Sequence, residues 1–344
     1  MLRAMDSAVA GLRAHQSKLD VIGHNIANVN TYGYKSQNYS FSEAMYQTSS
    51  SSTAGSQTAG GVNAAQYGYG SLTGSISMDM GASTPTYVGG FNATISGEGF
   101  FITSASNTLQ PTSANIKGLG DIQYSRVGQF LIDSNGYMVD SSGNFIYGYQ
   151  LKTTADVTNP QPEDYDPAAA LVPLKVPTSL DTTNNTAVYT GPGKSMIVLN
   201  DIKINGLGEV TGTVKSVFDE NGNDVTSTID NSVNPPKVVT HENVGKVITL
   251  GTVAIATFQN PDGLTKQGGY YYGATNSDNT GSASIGKPGD PGCSSLMAGY
   301  LEASNVDLAK EFSDMITTQR GFQANTKMIT VSDEILNELV NMKR

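Results

Sequence analysis

Tryptophan is absent from the 344 residues, cysteine occurs once, at Cys293, and only three histidines are present. A single thiol closes no intramolecular disulfide and builds no cysteine-ligated zinc site. The histidines, His15, His24 and His241, are dispersed and suggest no ligand cluster. Charged residues make up 15% of the chain, and the balance is acidic, with a net charge of −10. Such a surface gains nothing from releasing the counterions of a phosphate backbone, so nucleic acid is not an expected partner. No apolar run approaches the ~18 residues of a membrane span, and Arg3, Asp6 and Arg13 interrupt the N-terminal segment where a signal-type stretch would lie. Membrane insertion is not expected, and on these features alone the chain reads as cytoplasmic.

Glycine, by contrast, is plentiful at 38 residues, and serine, threonine and asparagine are common. That composition suits short strands and tight turns, and the length suits two or three domains.

The two ends differ from the middle. Met5, Ala8, Leu12, His15, Leu19, Ile22, Ile26 and Val29 are spaced alternately three and four residues apart, a heptad seam. Near the C-terminus Leu308, Met315, Phe322, Ile329 and Leu336 recur every seventh residue, with Phe312 and Val340 on the alternate position, which Gln319, Thr326 and Asp333 interrupt. Each end is predicted to be a helix with one apolar edge that it cannot bury alone. Residues 1–35 carry a slight basic excess and 301–344 a slight acidic one. Exposed ion pairs contribute only about 0–1 kcal/mol each, so the apolar edge dominates any pairing.

Between the ends, "TSSSSTAGSQTAGG" (48–61) is too polar to build a core. Strand-like patterns with hairpin tips at Asn135-Gly136 and Gly143-Asn144 fill 62–150, and a Pro/Asp-rich boundary follows at 153–167. Residues 168–250 again read as β, and "ITLGTVAIATFQNP" (248–261) resumes the first pattern before a Gly/Ser/Asn-rich loop at 268–292. The expected fold is mainly β with α-helical termini, the terminal helices pairing as a coiled coil. The expected division is 1–45 with 300–344 as the helical domain and 46–75 as a connecting segment. An inner β domain comes from 76–150 with 248–299, and an outer β domain is inserted over 151–247.

Candidate chemistry is thin. "GPGKS" (191–195) lacks the earlier glycine of a phosphate loop, where Val188 stands, and lacks a strand–loop–helix setting. "GEGF" (97–100) and "GYGSLTG" (68–74) lack dinucleotide-binding spacing and read as turns. "DENGND" (219–224) has Asp219, Asn221 and Asn223 at calcium-loop spacing, but its glycine falls too early and Asp230 stands where glutamate is needed, so a hairpin tip is expected. His15 lies within the first seam, where a polar residue sets register more often than it binds metal. No enzyme, no cofactor and no metal site is expected.

"LDVIGHNIANVNTYGYK" (19–35) closely resembles the N-terminal signature of the flagellar axial proteins, the rod, hook and hook-associated subunits. The matching positions are Asn25, Ile26, Ala27, Asn28, Asn30, Thr31, Gly33, Tyr34 and Lys35; the family often has asparagine where this chain has His24. "ISGEGFFI" (95–102) and "YSRVGQFLIDSNGYMVDSSGNFIYGYQ" (124–150) resemble its middle blocks. The closing block carries Ser304-Asn305-Val306-Asp307 and Gln319-Arg320-Gly321-Phe322-Gln323-Ala324-Asn325. Residues 168–247 are outside the resemblance.

Length and the inserted segment point, within the family, to a hook subunit. The resemblance implies a homopolymer of many copies forming a curved hollow tube that joins motor to filament. Implied partners are rod proteins, the hook cap, the hook–filament junction proteins and the flagellar type III export apparatus. Export through that apparatus without a cleaved signal implies an extracellular place in the hook, replacing the cytoplasmic expectation. The helical ends are then expected to be largely unfolded in a lone chain and ordered on assembly. The asparagines are expected to stop the first helix by capping carbonyls and tolerating left-handed backbone. The alternatives are a distal rod subunit and, from another class, a surface adhesin-like module using 168–247.

Overall fold

A computed structural model describes the chain except residues 1, 56–59, 113–114, 152–169, 178, 181–186, 189–196, 218–225, 231–236, 241–243, 276–277 and 343–344. The turn at 191–195, the calcium-like stretch at 219–224, the boundary at 153–167 and His241 lie outside the described residues. Among those described, the protein is mainly β with one helix near each end: α1 (Leu2–Ala27) and α2 (Leu308–Met342). Two compact units result, residues 1–80 with 304–344 and residues 81–303.

In the first unit α1 and α2 pack together because small residues let their backbones approach. A methyl group added at Gly11 would lie 2.8 Å from Asn325 Nδ2, and one added at Gly321 would lie 2.7 Å from His15 Cε1. Strands β1 (Gln37–Glu43), β2 (Tyr46–Ser50), β3 (Ala65–Gly68) and β4 (Ser71–Met78) form a two-stranded arm. In it β1 pairs antiparallel with β4 from Gln37↔Met78 to Glu43↔Ser71, and β2 pairs with β3. The Ser/Gly-rich stretch expected as a connector thus supplies paired strands, because backbone hydrogen bonding needs no apolar side chain. The expectation that it forms no core agrees with β2 and β3 being exposed along their whole length. Gly70, at φ +103°, lets the arm's backbone run against Ser7 of α1.

The second unit is built on a 13-stranded mixed-length sheet. Its main path runs Ile197–Ile204, Glu209–Val217, Val247–Val253, Phe145–Gln150, Phe100–Ser104, Ile122–Ser125, Tyr271–Gly273, Thr265–Gly268. Of the described strands between 151 and 247, Val172–Pro173, Ile197–Ile204 and Glu209–Val217 continue the same sheet as the flanking segments, whereas Ser179–Leu180 with Ala187–Val188 and Ser227–Asp230 with Lys237–Thr240 form separate two-stranded pairs. Its core stacks Phe101 on Phe130, Phe100 on Tyr272 and Tyr124 on Phe258, all edge-to-face with centroids 4.9–5.8 Å apart. Each such pair adds about 0.5–1.5 kcal/mol beyond area burial.

The "SGEG" block folds around a buried cation. Arg126 Nη1 donates to the carbonyls of Gly97 and Gly99, both at 2.7 Å, and its Nε lies 3.1 Å from Glu302 Oε2. Gly97 and Gly99 adopt φ +134° and +132°, which turns both carbonyls toward the guanidinium. Neither Arg126 nor Glu302 stands out in the sequence; their pairing spans most of the second unit's chain.

Candidate assembly site

The apolar–polar asymmetry of α2 is inverted for a helix of a lone chain. Its buried residues are Glu311, Thr318 and Ser332, with Asn325, half-buried, continuing the same seventh-residue spacing. Thr318 and Ser332 can be buried because their hydroxyls donate to the Asp314 and Met328 carbonyls of their own helix. Meanwhile Phe312 is 50% exposed, Ile316 60% and Met328 53%, and Leu308, Val331, Ile335 and Leu339 are exposed as well.

The predicted seam residues divide accordingly. Ile22 is buried, while Met5, Leu12, Leu19, Ile26, Met315, Phe322, Ile329 and Leu336 are half-buried within one chain. Leu308, Phe312 and Val340 are exposed. The alternate position in the packed helix pair is the polar series 311, 318, 325 and 332, one residue before the 312–340 series. Apolar periodicity missed it because small or polar side chains make the close contact. On α1 the buried positions are Ala8, Gly11, Ala14, Val21, Ile22 and Asn25.

The asparagine signature closes the end of α1 in a polar knot. Asn25 is 1% exposed and makes four hydrogen bonds. Its Oδ1 accepts from the Tyr34 hydroxyl at 3.0 Å and the Gln37 amide at 2.9 Å; its Nδ2 donates to the Gln37 carbonyl at 2.9 Å and to Glu311 Oε1 at 3.0 Å. Asn28 serves the helix end as expected, donating to the His24 carbonyl at 2.9 Å. Thr31 donates to Asn28 Oδ1 at 3.3 Å. Positive φ falls on Gly33, at +68°, and not on the asparagines. Asn30 is exposed, and Lys35 is buried.

The C-terminal signature meets this knot. Asn305 Oδ1 accepts from the Ser36 amide at 2.7 Å, and Asn305 Nδ2 donates to the Asp79 carbonyl at 2.9 Å. Asp307 caps α2 by accepting from the Ala309 amide at 2.9 Å and the Lys310 amide at 3.3 Å. Gln319 and Arg320 are exposed, with Arg320 donating to Gln323 Oε1 at 3.3 Å.

Burial sets the local electrostatics. It raises the Glu311 carboxyl above its ordinary value, an effect that Asp314 reinforces and the Asn25 donor, Lys310 and Lys18 oppose. Burial, with Glu311 nearby, pushes the Tyr34 phenol up to about 12. His15 is lowered by burial and by Lys18, and its Nδ1 is buried without a hydrogen-bond partner. Among the described residues no group of three or more His, Cys, Asp or Glu is placed to hold a metal.

The families that match fall on these two meeting segments. The one described as "Flagella basal body rod protein" covers residues 5–35, and "Flagellar basal body rod FlgEFG protein C-terminal" covers 297–342. Across the whole chain, "Flagellar basal-body rod protein FlgG" of Bacillus subtilis is 33% identical over 346 residues, covering 100% of both proteins. The chain belongs to the flagellar rod and hook protein family. "Flagellar hook protein FlgE" of Borreliella burgdorferi is 29% identical over 468 positions, covering 100% of both. The FlgE of Salmonella typhimurium is 29% identical over 433, covering 99% of this chain and 100% of the relative.

Members of this family are structural, so the chain is a subunit of the flagellar hook or rod and no enzyme. Within the two matched segments, Asn25 and Asn305 are the signature asparagines whose side chains bond the other end of the chain. Tyr34, a signature position, joins the knot through its hydroxyl, and Glu311, Ser36 and Asp79 complete it without a signature position to mark them. The nearest signal was the run of asparagines itself, more amide side chains than a helix stop needs.

Proposed function

We propose that the chain is a hook subunit that self-assembles into a curved, hollow helical tube outside the cell, transmitting torque as a flexible joint. The observation that carries the polymer reading is α2, which buries a polar series and leaves Phe312, Ile316, Met328, Ile335 and Leu339 uncovered. Neighbouring copies would cover that face together with the half-buried Met5, Leu12, Leu19 and Ile26, extending the helix pair into a coiled-coil lining. Partners would be further copies, the rod, the hook cap and the junction proteins, reached after export through the flagellar type III apparatus.

The hook reading draws on the insertion in the sheet, a segment that the end-to-end alignment with FlgG of Bacillus subtilis also spans. Strand Phe145–Gln150 pairs antiparallel with Val247–Val253 at Gln150↔Gly251, so neighbouring strands are joined through all of 151–246 instead of a short turn. An insertion there suits an unconfined joint and would set curvature as an outer domain. A rod reading draws on the FlgG of Bacillus subtilis, which aligns over 346 positions, whereas the two FlgE alignments run over 433 and 468, beyond this chain's own length. Electron microscopy of isolated hook–basal bodies, with an epitope tag inside 153–167, separates them. Label along the curved external tube is the expected result; label confined to the straight shaft would assign the rod.

A further inference from the structure

The root of the β1–β4 arm is held by side chains from both helical ends. Gln37, the first residue of β1, gives its amide to Asn25 Oδ1 and takes Asn25 Nδ2 on its carbonyl. One residue back, the Ser36 carbonyl accepts from the Asp79 amide at 2.9 Å, forming the last rung between the arm's two strands. The other groups of that rung, the Ser36 amide and the Asp79 carbonyl, are both bonded to the Asn305 side chain. Asn305 lies three residues before α2, and its own amide bonds the Tyr34 carbonyl at 3.4 Å. Asn25 in turn bonds Glu311 in the first turn of α2.

We infer that helix pairing and seating of the arm are a single coupled event, so that the arm is fixed only in a chain whose C-terminal helix has docked on α1. If α2 leaves and draws Asn305 with it, the bonds of Asn305 to the Ser36 amide and the Asp79 carbonyl and the bond of Asn25 to Glu311 are broken together. Water must then enter the buried knot, and the rung that fixes the arm's root is undone. Its other holds are on α1, through Phe41 against His15, Lys18 over the Phe41 ring, Arg3 over the Tyr67 ring and the Gly70 backbone against Ser7; β1–β4 otherwise expose most of their residues, and an isolated two-stranded ribbon is marginal in water. Resting on the polymer reading, the consequence is a checkpoint. The arm's apolar side chains, Met45, Tyr46, Tyr67 and Leu72, take a fixed position only once both ends of the chain are present and paired.

Hydrogen exchange on the full-length chain, before and after assembly, tests the coupling. Protection of residues 37–43 and 71–78 should rise and fall with that of 308–325. Phe322→Ala, which loosens the helix pair far from the knot, should speed exchange in the arm in parallel with α2, by roughly tenfold or more. Asn305→Ala should free the arm while α2 stays protected; Asn305→Asp keeps the acceptor for Ser36 and should act more weakly. Asn28→Ala, whose amide serves only its own helix end, should leave the arm unchanged. An arm protected while α2 exchanges freely, or one indifferent to Phe322→Ala, would overturn the inference. Failure to form tubes would count against the polymer reading alone, because exchange reports the coupling in either state.

Discussion

His15 on α1 lies directly over Gly321 on α2, so that any side chain at 321 would meet the imidazole at Cε1, 2.7 Å away, and at Nε2, 2.8 Å away. The ring has little room to withdraw, since Phe41 of β1 packs edge-on against it at 5.3 Å. This contact sets the register of the helix pair by shape. The polar residue in the predicted seam works through its bulk against a glycine.

Gly321→Ala should therefore weaken helix pairing by about 1–3 kcal/mol of overpacking, less the roughly 1 kcal/mol that alanine gains in a helix. Gly11→Ala should be near neutral, because its obstacle is the end of the Asn325 side chain, which can rotate. A second change, His15→Ala, should restore pairing to Gly321→Ala. Helix content and polymer stability of the single and double variants measure this, and additive losses would refute it.

Two titrating groups give the pairing opposite pH dependences. His15 is lowered from its ordinary 6.5, so its contribution is full above 6.5 and is lost as pH falls through the folded-state value. Glu311 is raised from 4.5, so its contribution is full below 4.5 and is lost as pH rises through its folded-state value. Glu311→Gln, which keeps an acceptor for Asn25, should stabilise the helix pair at pH 7 and flatten the alkaline side of the profile. His15→Gln should flatten the acid side. Circular dichroism against pH on the two variants distinguishes the assignments.

In the seam itself, Leu19→Ala and Ile329→Ala should each remove packing near the lower end of the 2–5 kcal/mol range, since both residues are half-buried within one chain. The loss should appear as a raised critical concentration for polymerisation and reduced motility, with near-normal melting of the β unit in the monomer. Leu19→Asp should be worse, because it places a carboxylate in the seam. Early monomer melting, or normal polymerisation by Leu19→Asp, would remove the seam as the assembly element.

Limited proteolysis of monomer should trim both ends and leave a resistant product close to residues 81–303, the second compact unit. Equal resistance of the helical ends would count against assembly-coupled ordering.

Within that unit, Glu302→Ala should lower stability by about 3–5 kcal/mol, since it leaves the Arg126 guanidinium buried without its carboxylate. Calorimetry of the trimmed unit reads this directly. Arg126→Lys should not rescue function of the site, because one ammonium cannot span both glycine carbonyls and Glu302.

Periodicity and composition alone determined that both ends are helical and that the middle is β. Those features are local: a heptad stripe, a turn dipeptide or a glycine-rich block declares itself within a few residues. The second seam shows where locality stops. Leu308, Met315, Phe322, Ile329 and Leu336 were legible as apolar, yet the buried series of Glu311, Thr318, Asn325 and Ser332 was not, because closeness of two backbones rewards small and internally satisfied side chains. Asn25 was legible as unusual and Asn28 as a cap, but the role of Asn25 depends on Gln37 and Glu311. Only tertiary structure brings Ser36, Asp79 and Asn305 into one rung, or Arg126 against Glu302. Their hydrogen bonds join residues far apart in the chain, and no local pattern encodes which distant group will satisfy a buried polar atom.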